Sequence, residues 1–145
     1  MQFIRGGFTI YTKMKSNTPL EEKDNQIFQL ALISCSTAFD VSEEQILTLK
    51  RGHPCIATAR QMVYWIMRKA TPTSLAQIGG MVNKDHGAVL HGIRAMDDVF
   101  NVGDIPDNPF YKTAHRAARM FKELNKELMV SRREKALEKA WAISQ

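Results

Sequence analysis

The pattern Ser/Thr-x-x-Glu/Gln marks four candidate helix starts: Thr18 with Glu21, Ser42 with Gln45, Ser74 with Gln77, and Ser131 with Glu134. In such a capping box the hydroxyl accepts from a free backbone N–H of the first turn, and the Glu or Gln side chain reaches back to the cap residue's own N–H. Pro19 strengthens the first start, because Pro at the first helical position gives up a donor that has no helical partner anyway. Four encoded helix starts, with no strand-rich region and no internal repeat, predict an all-α chain.

The apolar periods fill in the elements between those starts. Residues 1–17 carry no helical period and read as a flexible tail, with a candidate short strand at Phe8 to Tyr11. A helix is predicted from about Pro19 to Phe39, with Leu20, Ile27, Leu30 and either Ile33 or Leu32 facing inward. "DVSEEQILTLKRG" predicts a short helix ending at Gly52, and "HPC" reads as a break because Pro54 forces its predecessor to be extended. The next helix is expected from about Ala57 to Ala70. Its apolar face carries Ala59, Val63, Ile66, Met67 and Ala70, while Arg60, Tyr64 and Arg68 recur on another face with Gln61 beside them. "LAQIGGM" gives a very short helix after Ser74. The turn "VNK" comes next, and Asp85 then caps a helix reaching about Phe100 with Val89, Ile93, Met96 and Phe100 buried. Residues 18–100 thus read as one domain, 101–109 as a hinge rich in turn formers, and 110–145 as a C-terminal helical extension. In the extension Phe110, Ala114, Ala117, Phe121, Leu124 and Leu128 keep a helical period, and Ser131 either starts a new helix or is passed through.

Charge is unevenly spread. The chain has 20 Lys+Arg against 15 Asp+Glu, a formal +5. Between Glu44 and Asp85 there is no acidic residue, yet the stretch holds Lys50, Arg51, Arg60, Arg68, Lys69 and Lys84. An acid-free basic segment suits a polyanion such as nucleic acid. The extension carries nine Lys+Arg and four Glu, again a net +5, and could pack on the core, pair with a second copy or lie against DNA. Two cysteines, Cys35 and Cys55, with no C-x-x-C spacing fit a reducing cytoplasm. No apolar run approaches a membrane span, and no signal-peptide core is present, so no membrane partner is expected.

The densest chemistry is "NKDHGAVLHG", residues 83–92. A metal site is disfavoured, because His86 and His91 stand five apart, roughly 140° around a helix, whereas ligands on one helix need a spacing of three or four. Catalysis is disfavoured too. Adjacent Asp85 and His86 point in different directions, neither cysteine has an evident base, and no Walker-type loop is present. No cofactor and no enzymatic activity are expected. Asp85 reads most simply as a helix cap. A short helix, a tight turn and a second helix also form the helix-turn-helix layout, whose second helix meets base edges with its N-terminal residues. Gly87, Ala88, His91 and Arg94 lie on the unburied side of that helix, and small residues at 87 and 88 would let its backbone approach a groove.

Residues 57–96, "ATARQMVYWIMRKATPTSLAQIGGMVNKDHGAVLHGIRAM", resemble the C-terminal DNA-binding domain of the bacterial chromosomal replication initiator DnaA. The likeness rests on Arg-Gln, a basic residue seven positions on, Ser-Leu-x-x-Ile-Gly, and basic-Asp-His-x-x-Val-Leu-His; upstream helices extend it to about residue 24. The resemblance implies a helical bundle related in fold to the Trp repressor that binds double-stranded DNA. It implies major-groove reading by Lys84, Asp85 and His86, with Gly87 and Ala88 where the family has Thr-Thr. It also implies phosphate contacts or positioning by Arg60, Gln61 and Arg68, and a minor-groove loop containing Arg51. The departures are Gly87-Ala88, the loop "KRGHPC", and Thr58-Ala59 ahead of Arg60. Each good base contact is worth roughly 1–3 kcal/mol of discrimination, so these changes should shift the recognised sequence or leave phosphate-driven binding. The expectation is a stand-alone DnaA-like module without the ATPase part, acting in replication or transcription control. The alternative is an interaction protein that keeps the fold but binds a replication protein, or forms a homodimer through 110–145.

Overall fold

The computed structural model describes residues 20–48, 53–101 and 108–145. Among them the chain forms six helices, α1 (Glu22–Phe39), α2 (Glu43–Leu47), α3 (Pro54–Ala70), α4 (Leu75–Val82), α5 (His86–Phe100) and α6 (Pro109–Ser144), and no strand. The fold is all-α, as the capping pattern and apolar periods predict. The candidate strand at Phe8–Tyr11 and the Thr18 cap lie outside the described residues.

α3 is the central helix. It packs against α1 and α5, while α6 lies mainly along α1 and meets α3 and α5 less extensively. α6 runs antiparallel to α1, since Arg116 Nη2 donates to Ala38 O (2.7 Å) at one end of α1 and Arg132 Nη2 donates to Lys23 O (3.1 Å) at the other. The core is continuous from Phe28, Ala31, Leu32 and Cys35 on α1 through Met62, Val63, Ile66 and Met67 on α3 to Val89, Ile93 and Met96 on α5, and it takes Ala114, Ala117 and Phe121 from α6. Burying one such Leu, Ile, Val or Met stabilises the fold by about 1.5–3 kcal/mol. The choice left open on α1 falls to Leu32, which is buried, while Ile33 is 43% exposed. Burial also pushes the Cys35 thiol far above its ordinary range.

Caps set most of the helix boundaries. Complete capping boxes form at Ser42–Gln45 and Ser74–Gln77. The Thr71 hydroxyl donates to Met67 O (2.7 Å) and sits 2.6 Å from the Thr73 hydroxyl, closing the loop between α3 and α4 with its polar groups paired. Four expectations need correction. α3 begins at Pro54, not near Ala57: Pro occupies the first helical position, and His53 keeps the extended geometry that a following Pro imposes (φ −57°, ψ 146°). α2 ends at Leu47, not at Gly52, because the Arg60 guanidinium takes the carbonyls of Gln45, Ile46 and Thr48 that a longer helix would have to satisfy itself. Tyr64 does not share an open face with Arg60 and Arg68; it is buried at 3% exposure, because α5 covers that side of α3. Phe110, expected on the inward stripe of the extension, is 40% exposed.

α6 settles the question at Ser131. Asn108 caps the helix, its Oδ1 accepting from Phe110 N–H (2.9 Å), and Pro109 starts it. It then runs unbroken through Ser131 for 36 residues. Residues 110–145 contain no Gly or Pro and are rich in Ala, Leu, Glu, Lys and Arg, so propagation wins over a new start. Its first half is packed, whereas Leu137, Trp141 and Ile143 are 59%, 70% and 76% exposed.

Candidate nucleic-acid interface

The junction of α4 and α5 is built residue by residue. Ser74 fixes the start of α4 through its box with Gln77 (3.1 and 3.0 Å). Ile78, Met81 and Val82 bury the helix in the core. α4 ends where Asn83 takes the left-handed conformation (φ 57°, ψ 46°), a geometry Asn tolerates better than most residues. The Lys84 N–H then returns to Gly79 O at 2.8 Å. Position 79 has no room for a side chain: a Cβ there would stand 2.2 Å from the Lys84 carbonyl oxygen. This glycine lets the chain fold back tightly from α4 to α5.

Asp85 caps α5, with Oδ1 accepting from Ala88 N–H at 2.8 Å. The cap orients the first turn and directs its carboxylate to the helix's own backbone. Val89, Ile93 and Met96 anchor the opposite side of α5. His86, Gly87, Ala88, His91 and Arg94 are exposed, and Lys84 is half-buried at the turn. The six residues Lys84, His86, Gly87, Ala88, His91 and Arg94 therefore belong to one turn and the outer side of one helix. A Cβ at Gly87 would meet only Asp85 Oδ1, at 3.5 Å, so the surface there is flat and open.

A second glycine controls how α5 sits on α3. A Cβ at Gly92 would stand 2.8 Å from the Tyr64 ring and 3.0 Å from Gln61 Cγ. The missing side chain allows close approach of the two helices, which places Gln61 beneath α5. Burial pushes the Tyr64 phenol up to about 12, with the positive charge of Arg60 acting the other way.

The remaining expected residues lie around this frame. Arg60 is half-buried, and its Nε and Nη2 donate to Ile46 O and Thr48 O, both at 2.7 Å, with a weaker bond to Gln45 O at 3.3 Å. Its charge is thus held at the C-terminal end of α2, where a cation is favoured by the helix dipole. Arg68 is exposed, and its Nη1 donates to Thr73 O at 3.3 Å beside the entry to α4. Arg51 lies outside the described residues. His53 Nδ1 accepts from Cys55 N–H (3.2 Å) and lies 2.9 Å from Cys55 Sγ. Among the described residues no three His, Cys, Asp or Glu gather where they could hold a metal ion, and no helix is long and apolar enough to cross a membrane.

Sequence reasoning finds Asp85 as a cap but passes over Gly79, Asn83 and Gly92. The Asn at the end of "IGGMVN" is a readable signal for a left-handed helix end. The glycine roles depend on tertiary approach and have no local signal.

Residues 32–96 match the family model described as the bacterial DnaA protein helix-turn-helix, a span that runs from the middle of α1 through most of α5. A chromosomal replication initiator protein DnaA from Desulfotalea psychrophila is 34% identical over 76 residues, which make up 51% of this chain and 16% of that relative. The tight α4–α5 junction, its caps and the open first turn of α5 all fall inside the matched span, so this part of the chain is similar to the bacterial DnaA helix-turn-helix.

Proposed function

We propose that this chain binds double-stranded DNA and that α5 is its recognition helix. The observation that carries the reading is the N-terminal turn of α5. Two small exposed residues, Gly87 and Ala88, sit in a fixed, capped turn flanked by Lys84, His86, His91 and Arg94. A helix with no bulk at its leading edge can enter a groove deeply, and the flanking cations and imidazoles can reach base edges or phosphates. Asp85 orients the turn, although its carboxylate is engaged with Ala88 N–H. Arg68 is assigned to phosphate neutralisation. Gln61 and Arg60 are assigned to support: Gln61 beneath α5, and Arg60 at the end of α2, where it holds the carbonyls of Gln45, Ile46 and Thr48. Arg51 itself is assigned to the minor groove on the family resemblance.

Without hydroxyls at 87 and 88, direct readout is thinner than in a Thr-Thr sequence, and the phosphate contribution correspondingly larger. The biological setting that fits is replication or transcription control in a reducing cytoplasm. The test is a salt titration of binding to random duplex DNA. Micromolar or tighter binding that weakens steeply with salt is expected, and the Lys84→Ala/Arg68→Ala pair should flatten the salt slope by about 0.9 for each phosphate that is no longer neutralised. Absence of binding at low salt, or a slope untouched by the pair, would overturn the reading.

A second reading, self-association or docking of a replication protein, is favoured by the outer end of α6. Leu137 and Trp141, one turn apart, make an apolar face there with no cover among the described residues. Sedimentation of the chain and of a Leu137→Glu/Trp141→Glu variant tests self-association: a concentration-dependent dimer that the variant abolishes would establish it.

A further inference from the structure

α6 is amphipathic in charge as well as in hydrophobicity. Ala114, Ala117 and Phe121 face the core. Arg119, Lys122, Lys126 and Arg133 project from the other side, and all four are exposed. At 100° per residue they fall within a sector about 60° wide, centred roughly 140° round the helix from the buried stripe. No acidic side chain shares that sector: Glu123, Glu127 and Glu134 stand on its flank. Among the described residues no ion pair joins the four cations to those glutamates, and the ion pairs are Lys23–Glu21 and Lys69–Asp97. From Arg119 to Arg133 the row extends about 21 Å along the helix, the length of several phosphates of one DNA strand.

This row is not a continuation of the α5 surface. α5 and α6 meet at the far end of α5, where the Phe100 ring lies 4.5 Å from the His115 ring, some 20 Å along α5 from His86. Elsewhere α1 and α3 stand between the two helices, since α6 packs mainly on α1, α1 on α3, and α3 on α5. A duplex seated on the first turn of α5 leaves the outer face of α6 open.

We propose that Arg119, Lys122, Lys126 and Arg133 form a second duplex-binding surface, one that grips the phosphates of a separate DNA segment without reading sequence, so that one chain bridges two duplexes. Exposed cations held in a row on a rigid helix neutralise phosphates and release counterions, and this contribution needs no base contact. The proposal goes beyond α5 as recognition helix and rests on that reading, since bridging needs α5 to hold the other duplex.

The experiment is capture of a labelled duplex by bead-bound duplex in the presence of the full chain. Four proteins are compared: wild type, Arg119→Glu/Lys122→Glu/Lys126→Glu, Lys84→Ala/His86→Ala, and Leu137→Glu/Trp141→Glu, each checked for helicity by circular dichroism. Wild type captures the second duplex. The α6 charge reversal reduces capture at least ten-fold while binding to one duplex at low protein concentration stays within three-fold. The Leu137/Trp141 variant still bridges. Undiminished capture by the α6 reversal overturns the proposal, and so does loss of capture in the Leu137/Trp141 variant, which would attribute bridging to self-association. If the Lys84/His86 variant binds a single duplex like wild type while the α6 reversal abolishes all binding, α6 is the sole duplex surface, and the bridging proposal falls together with the α5 assignment. If the Lys84/His86 variant loses single-duplex binding while the α6 reversal still captures like wild type, the α5 assignment stands and the bridging proposal alone falls.

Discussion

The α4–α5 junction and the outer half of α6 are both exposed and both rich in charge, yet they are specified in opposite ways. At the junction the turns are tied by specific bonds: the Ser74–Gln77 box, Lys84 N–H to Gly79 O, and Ala88 N–H to Asp85 Oδ1. The chain path is fixed by interactions that admit few substitutions. Beyond Arg132 on α6 the side chains are all exposed, and the helix is held by its own hydrogen bonds and the propensity of its Ala, Leu, Glu, Lys and Arg residues. The first region is shaped as a rigid element that presents a few side chains. The second is a projecting rod whose chemistry can change without altering the fold.

That contrast predicts a graded set of effects. Gly79→Ala should be the most damaging. Gly→Ala inside a helix ordinarily stabilises by up to about 1 kcal/mol, but here the new Cβ meets the Lys84 carbonyl at 2.2 Å, so we expect a loss of about 2–3 kcal/mol in urea unfolding. Gly87→Ala, eight residues on, is the counterpart. Its Cβ makes only an ordinary 3.5 Å contact, and stability should hold or rise slightly. A substitution tolerated at 79 as well as at 87 would show that the Lys84 carbonyl can move aside without cost and that the turn is not fixed by Gly79.

Arg60→Ala comes next. Three carbonyls at the end of α2 lose a charged donor, and because the site is half-exposed to water the cost should be about 1–2 kcal/mol, with the loss of amide protection concentrated at Gln45–Thr48. Asp85→Ala removes the α5 cap and should cost about 1 kcal/mol, whereas Asp85→Ser should restore most of it. Leu137→Glu in α6 should change the unfolding free energy of the monomer by less than about 0.5 kcal/mol, since that side chain is 59% exposed. A large effect there would mean that the outer half of α6 is covered in solution.

The parts of this fold that are legible in the sequence are those decided within four residues. Ser42, Ser74 and Asp85 announce helix starts because their partners are local backbone groups. The same signature at Ser131 does not start a helix, because nothing near it breaks one. Pro54 reads as a break in the sequence yet begins α3; a proline ends the element before it and can start the one after it, and the choice depends on the packing of Ala59, Met62 and Val63. Tyr64 has the spacing of a polar face with Arg60 and Arg68, but α5 covers it, and α5 can do so only because residue 92 has no side chain. The candidate site is legible in its leading residues, Lys84 to Ala88. The contributions of Gly79, Gly92 and the Arg60 anchor are tertiary, and their local sequence does not encode them.

Contact between the first turn of α5 and DNA can be read from backbone amide shifts recorded while duplex DNA is added at low molar ratio. The largest and earliest shifts are expected at residues 84–91, with weaker ones near Arg68 and on the outer face of α6. Shifts that leave 84–91 untouched while others change would contradict it.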